Sequence, residues 1–213
     1  MLTTLTEIEA RILGCLVEKQ LTTPEYYPLT MNALTAACNQ KSNREPVMSL
    51  DETSLLAAID DLRDKNLVYL YYGSTSRTVK YKHMLASVYE LDEAQVAVMA
   101  LLFLRGPQTV GELRGLSDRL HEFGGIGEVQ ETIDGLAKRD EPLVIALPKQ
   151  PGQKEPRYTH LLSGDIDIEA LAASAAAPKA AVVTGAANER IEALENEVKA
   201  LREEFAEFRK QFE

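Results

Sequence analysis

Apolar residues at the start of the chain follow a helical period: Ile8, Ile12, Leu13 and Leu16 share one face, and Thr6-x-x-Glu9 stands before them as a capping box. This pattern predicts a helix near 6–19. Pro24 and Pro28 then set an extended approach to a short helix near 30–38, which Thr30 can cap and whose inner face is Leu34 and Ala37. A longer helix is expected to open at Ser49 and Glu52, a second S-x-x-E box, and to turn Leu55, Leu56, Ile59 and Leu62 inward. After it the period changes. Leu67 to Tyr72 reads as a strand, residues 73–77 as a turn and Thr78 to His83 as the returning strand.

The same sequence of signals then recurs. LDEAQVAVMALL lays over LTEIEARILGCL at every core position, with Asp92 and Gln95 in the places of Thr6 and Glu9. Helices are predicted near 92–104, 109–121 and 127–139, followed by a strand over 143–147 and a return from Arg157 to Leu162. Tyr158-Thr159-His160-Leu161-Leu162 echoes Tyr81-Lys82-His83-Met84-Leu85, so each copy closes on the same segment. Three helices and a hairpin, twice over, predict an α+β fold, mainly α, of two tandem winged-helix domains over residues 1–86 and 87–164.

The run LGCLVEKQLTTPEYYPLTMNALTAACNQKSNREPV, with the later Tyr-x-His-x-Leu segment, resembles the YceH-like family of bacterial proteins over roughly the first 165 residues. The resemblance implies the tandem winged-helix fold. It implies no activity and brings no catalytic residues.

Beyond these domains, residues 165–187 read as an alanine-rich linker or a broken helix, and 188–213 carry a heptad seam of Ile191, Leu194, Val198, Leu201, Phe205, Phe208 and Phe212. The flanking pairs Arg190 with Glu195, Glu197 with Arg202 and Glu204 with Arg209 all attract in a parallel dimer. A homodimer through this coiled-coil helix is therefore expected, against the alternative of an amphipathic helix folded back on its own domains.

Composition narrows the chemistry. With 33 acids against 23 bases the net charge is −10, which repels nucleic acid and anionic membranes unless the bases cluster. Cys15 and Cys38 lack metal-ligand or redox spacing and read as buried thiols in a reducing, cytoplasmic setting. No apolar run is long enough for a signal peptide or a membrane span. No nucleophile stands beside a base, and no phosphate loop follows a strand; Gly124-Gly125-Ile126-Gly127 reads as a helix-helix turn. His83 and His160 occupy matching places, which suggests a structural role. The expectation is a protein without catalytic residues, metal or cofactor.

The third helices decide how such a protein would meet a partner. Their outward positions are Thr53, Ser54, Ala57, Asp60, Asp61 and Asp64 in the first copy, and Glu128, Glu131, Thr132, Asp134, Gly135 and Lys138 in the second. Carboxylates at those places disfavour major-groove docking. Bases gather elsewhere. The turn Asn39-Gln40-Lys41-Ser42-Asn43-Arg44, the first wing with Arg77, Lys80 and Lys82, and the second with Lys149, Lys154 and Arg157 are the candidate contact surface, for DNA phosphates or for a protein partner.

Overall fold

The computed structural model describes residues 4–72, 78–149 and 152–164, which together are mixed α and β and mainly helical. The heptad residues 191–212, the linker and Arg77 lie outside them.

Helix α1, Glu7–Thr22, starts where expected: Thr6 Oγ1 accepts from Glu9 N at 3.2 Å, and Glu9 Oε2 accepts from Thr6 N at 2.6 Å. Its burial is not the one-faced pattern of a surface helix, since every residue from Glu9 to Glu18 is buried. The reason is tertiary. α2 (Met31–Cys38) and α3 (Glu52–Asp64) pack on one side, and α5 (Glu93–Arg105), itself buried from Val96 to Leu104, packs along another. Leu13, Leu16, Leu34, Leu55, Met99 and Leu104 thus belong to a single core.

Elements appear in the same order twice. The first series is α1, α2, α3, β2 (Val68–Tyr72) and β3 (Val79–His83); the second, after the short α4 (Leu85–Tyr89), is α5, α6 (Val110–Ser117), α7 (Ile126–Ala137), β4 (Val144–Ala146) and β5 (Tyr158–His160). Matching backbone bonds tie the matching places. Leu67 N donates to Leu62 O and Leu143 N to Leu136 O, while Met84 N donates to Leu67 O and Leu161 N to Leu143 O. Val68 lies opposite His83 as Val144 lies opposite His160. A two-residue strand β1, Leu29–Thr30, adds antiparallel to β3 with Leu29 opposite Tyr81, and an isolated bridge sets Gln108 opposite Tyr158. Directly after these bridges, Thr30 caps α2 and Thr109, in a capping box with Glu112, caps α6.

Two local expectations are corrected. Helix α3 is capped by Asp51, whose carboxylate accepts from Ser54 N at 2.7 Å, and not by Ser49. Asn39 is the cause: its side chain accepts from Leu50 N at 2.7 Å and donates to Leu50 O at 2.8 Å, so Leu50 pairs like a strand residue and cannot enter the helix. Leu56 is 42% exposed, and Ala58 takes the inner place beside Leu55, Ile59 and Leu62.

The closest approach of α1 and α5 depends on Gly14. A Cβ there would lie 2.8 Å from Leu104 Cγ and 3.0 Å from Phe103 Cβ, inside van der Waals contact. Gly14→Val is expected to destabilise the protein by roughly 1–3 kcal/mol through overpacking. Urea unfolding at constant slope measures it.

Candidate functional site

The turn after α2 is built from inside the protein. Arg44, expected on the contact surface, is instead buried, its side chain fully covered. Nη1 and Nη2 donate to the two oxygens of Glu18 at 3.1 and 2.7 Å, Nε donates to Ala37 O at 3.1 Å, and Nη2 also reaches Gln40 Oε1 at 3.0 Å. A guanidinium has the planar fork that a carboxylate matches, so once Glu18 is carried inward by α1 the arginine follows it. Burial alone would raise the Glu18 carboxyl, but the bonds and charge of Arg44 outweigh it and hold it below the ordinary carboxylate range. A second arginine, Arg11, is 1% exposed and donates to Cys38 O at 3.3 Å and Pro46 O at 2.6 Å, closing the same loop from beneath.

Other members of the turn divide by what holds them. Asn39 is committed to Leu50, as described. Gln40, Ser42 and Asn43 line a cleft facing α5 and α6. Lys41 is exposed. Pro24 opens a single 3₁₀ turn, Pro24–Tyr26, and Pro28 lies beyond it; Tyr26 projects into solvent, while the Tyr27 hydroxyl accepts from His83 N at 2.8 Å and anchors the loop to β3.

In the second half, Arg157 is also drawn inward: it donates to Glu112 at 2.6 Å and to Pro107 O at 2.7 Å, linking the strand to the start of α6. Lys149 donates to Lys154 O at 3.2 Å, and both lysines are exposed. The glycines before α7 have an internal anion already, since Gly124 N donates to Glu128 Oε2 at 2.6 Å.

The first hairpin is different. β2 and β3 pair so that Tyr69 lies opposite Lys82 and Tyr71 opposite Lys80. Directly paired residues of an antiparallel ladder share a face, so these four form one surface, with Thr30 of β1 beside Lys80. The inward set is Val68, Tyr81 and His83, all buried. The outward tyrosines are 60% and 45% exposed, Lys82 is exposed and Lys80 half-buried. Sequence reasoning found the two lysines and missed the two tyrosines, although VYLYY and VKYKH both alternate with period two. By contrast, Thr53, Ala57, Asp60, Asp61 and Asp64 on α3 and Glu128, Glu131, Gly135 and Lys138 on α7 are exposed as expected, and both outer faces are mostly acidic.

Residues 5–153 match the family described as "Protein of unknown function, DUF480". A UPF0502 protein of Geobacter sulfurreducens is 47% identical over 216 residues, covering 98% of each chain. The chain belongs to this DUF480/UPF0502 family. A further UPF0502 protein, from Citrifermentans bemidjiense, is 51% identical across 92% of this chain and 88% of its own, and one from Vibrio atlanticus is 46% identical across 98% and 97%. The YceH-like resemblance agrees with this membership. Among the described residues of this DUF480/UPF0502 chain, no cluster of three histidine, cysteine or acidic side chains could hold a metal, and no helix is long and apolar enough to cross a membrane.

Two measurements test how the buried charges hold the site. Glu18→Gln leaves the Arg44 cation buried with only dipoles around it, and is expected to cost about 3–5 kcal/mol in chemical denaturation. The matched histidines answer to pH. Burial, joined at His83 by the nearby charge of Lys82, pushes both imidazoles down to about 4 from 6.5. The unfolded chain therefore takes up protons first: stability is complete above about pH 6.5, declines as pH falls and levels off for these groups below about pH 4. Glu18, lowered from 4.5, adds a separate loss only below that value. A His83→Gln, His160→Gln double variant is expected to flatten the decline between pH 6.5 and 4.5 in thermal melts while keeping the steeper loss below it.

Proposed function

We propose that this chain is a non-enzymatic, nucleic-acid-associated protein, built as two tandem winged-helix domains, that holds its ligand on the outer face of the first hairpin. The exposed Tyr69/Lys82 and Tyr71/Lys80 pairs carry this reading. Alternating aromatic rings and ammonium groups on a strand pair offer stacking for bases and neutralisation for phosphates, without reading sequence. Lys41, Lys149 and Lys154 add exposed positive charge on other loops, while the acidic α3 and α7 keep the major groove away. The winged-helix description is supported by the repeated order of elements and by the matching bonds at Leu67 and Leu143. The tail supplies a parallel coiled-coil homodimer in this scheme, and the protein works in the cytoplasm.

A second reading, a protein-binding adaptor with no direct nucleic-acid contact, is favoured by the exposed Leu56 set among the acids of α3. Salt separates the two. Fluorescence anisotropy of a labelled single strand and its duplex is expected to show binding that weakens steeply between roughly 50 and 200 mM salt. Lys80→Glu with Lys82→Glu should lower the salt slope by about two, one for each phosphate that is no longer neutralised. Tyr69→Ala with Tyr71→Ala should cost about 1–3 kcal/mol per stacked base at unchanged slope. No binding of either strand form at low salt would leave the adaptor as the function.

A further inference from the structure

We infer that the cleft between the 39–44 turn and the corner of α5 and α6 binds a small amphiphilic anion, a carboxylate or phosphate carried on an apolar body. The cavity holds about 240 Å³, below the roughly 300–1,000 Å³ usual for drug-sized ligands, so its occupant is small. Its floor is aliphatic, formed by Leu101 and Leu104 of α5 with Leu116 and Leu120 from α6 and the turn after it. Leu101 and Leu104 are buried, whereas Leu116 and Leu120 are only partly covered, which leaves apolar surface for a ligand to take out of water.

The rim has the opposite character. Lys19, Arg105 and Arg119 are among the lining residues, and the one carboxylate there, Glu18, is already bonded by Arg44 and by Lys19, whose Nζ lies 3.1 Å from Oε2. Adding Arg44 behind it, the site has four cations to one carboxylate in a chain whose net charge is −10. Arg119 is exposed and has no hydrogen bond or ion pair among the described residues. Arg105 donates from Nη1 to Asn43 Oδ1 at 3.1 Å, while its Nε is buried and has no hydrogen-bond partner there, an uncommon state for a charged donor. Because Asn43 uses its oxygen on Arg105, its amide nitrogen is left to donate. Ser42 adds a hydroxyl.

This concave site is separate from the Tyr/Lys sheet face, and it stands whether or not that face binds nucleic acid. A flexible polyanion needs no aliphatic floor, and an apolar peptide needs no ring of guanidinium groups; a short-tailed anion uses both. Its walls come from both series of elements, α1 and the turn on one side and α5 and α6 on the other, so an occupant would brace the two against each other.

Isothermal titration calorimetry of the full chain with octanoate and with octyl phosphate tests this, with octylamine and inorganic phosphate as controls and no nucleic acid present. Saturable binding of either octyl anion is expected, with a ligand-dependent rise in Tm and with neither control binding comparably. Arg119→Glu, at an exposed position outside the core, should weaken binding about tenfold or more, the loss of one charge-assisted hydrogen bond. Leu116→Asn should weaken it as well, and circular dichroism melts verify that both variants fold. The inference is overturned if neither octyl anion binds, if octylamine or inorganic phosphate binds as tightly as they do, or if both folded variants bind undiminished.

Discussion

The ion pair of Glu18 and Arg44 is the constraint from which the site takes its shape. Glu18 lies at the end of the buried stretch of α1 with only 11% of its side chain exposed, so little water reaches its carboxylate. A lone carboxylate there would be expelled or neutralised, so the fold supplies a partner whose two nitrogens satisfy both oxygens. That demand pulls the 39–44 turn down against α1, turns Gln40 inward as a third member and orients Asn43 so that its carbonyl accepts from Arg44 and its side chain meets Arg105 of α5. One buried charge thus links α1, the turn and α5. Replacing the pair by apolar groups is often neutral in other folds; what it supplies here is position more than net stability.

The same logic separates two sets among the basic residues. Arg11, Arg44 and Arg157 are arginines whose forks are filled by carbonyls or carboxylates, and they act on the fold. Lys41, Lys82, Lys149 and Lys154 are lysines that lie exposed to solvent. The division follows from chemistry: a planar, weakly hydrated guanidinium is cheaper to bury than a compact, strongly hydrated ammonium. Arg119 departs from it. As an exposed arginine with no partner among the described residues, beside an aliphatic floor, it fits neither group.

What could be read from the sequence was local. Capping boxes at Thr6 and Asp92 lie within four residues and are legible in the sequence, as is the spacing of the one at Thr109 and Glu112. Strands of five residues left a period to detect, whereas the two residues of β1 left none, and their role follows only from β3 arriving beside them. The repeated order of elements was visible because its signals recur as a set. The fate of Arg44 was not, since its partner is 26 positions away and nothing near it distinguishes a solvated arginine from a buried one. A charge in the middle of LGCLVEKQL was the available warning: an acid on a helix with no clear polar face needs a counter-ion from somewhere.

Why the two halves differ in what they expose follows from their hairpins. In the first, five-residue strands and a third strand β1 make a sheet wide enough to have an outer face, and that face carries Tyr69, Tyr71, Lys80 and Lys82. In the second, three-residue strands and a single bridge at Gln108 leave little outer face, and Arg157, one residue before β5, is spent holding α6 through Glu112. His83 and His160 retain matching places opposite Val68 and Val144, the first buried and the second half-buried against Phe103, so the inner side of each hairpin packs on its own half. Only the outer side is free to diverge. The asymmetry therefore assigns holding the core to both copies and presenting an aromatic, cationic surface to the first, a division that needs a firm joint between them, and that joint is the α1–α5 crossing closed over Gly14.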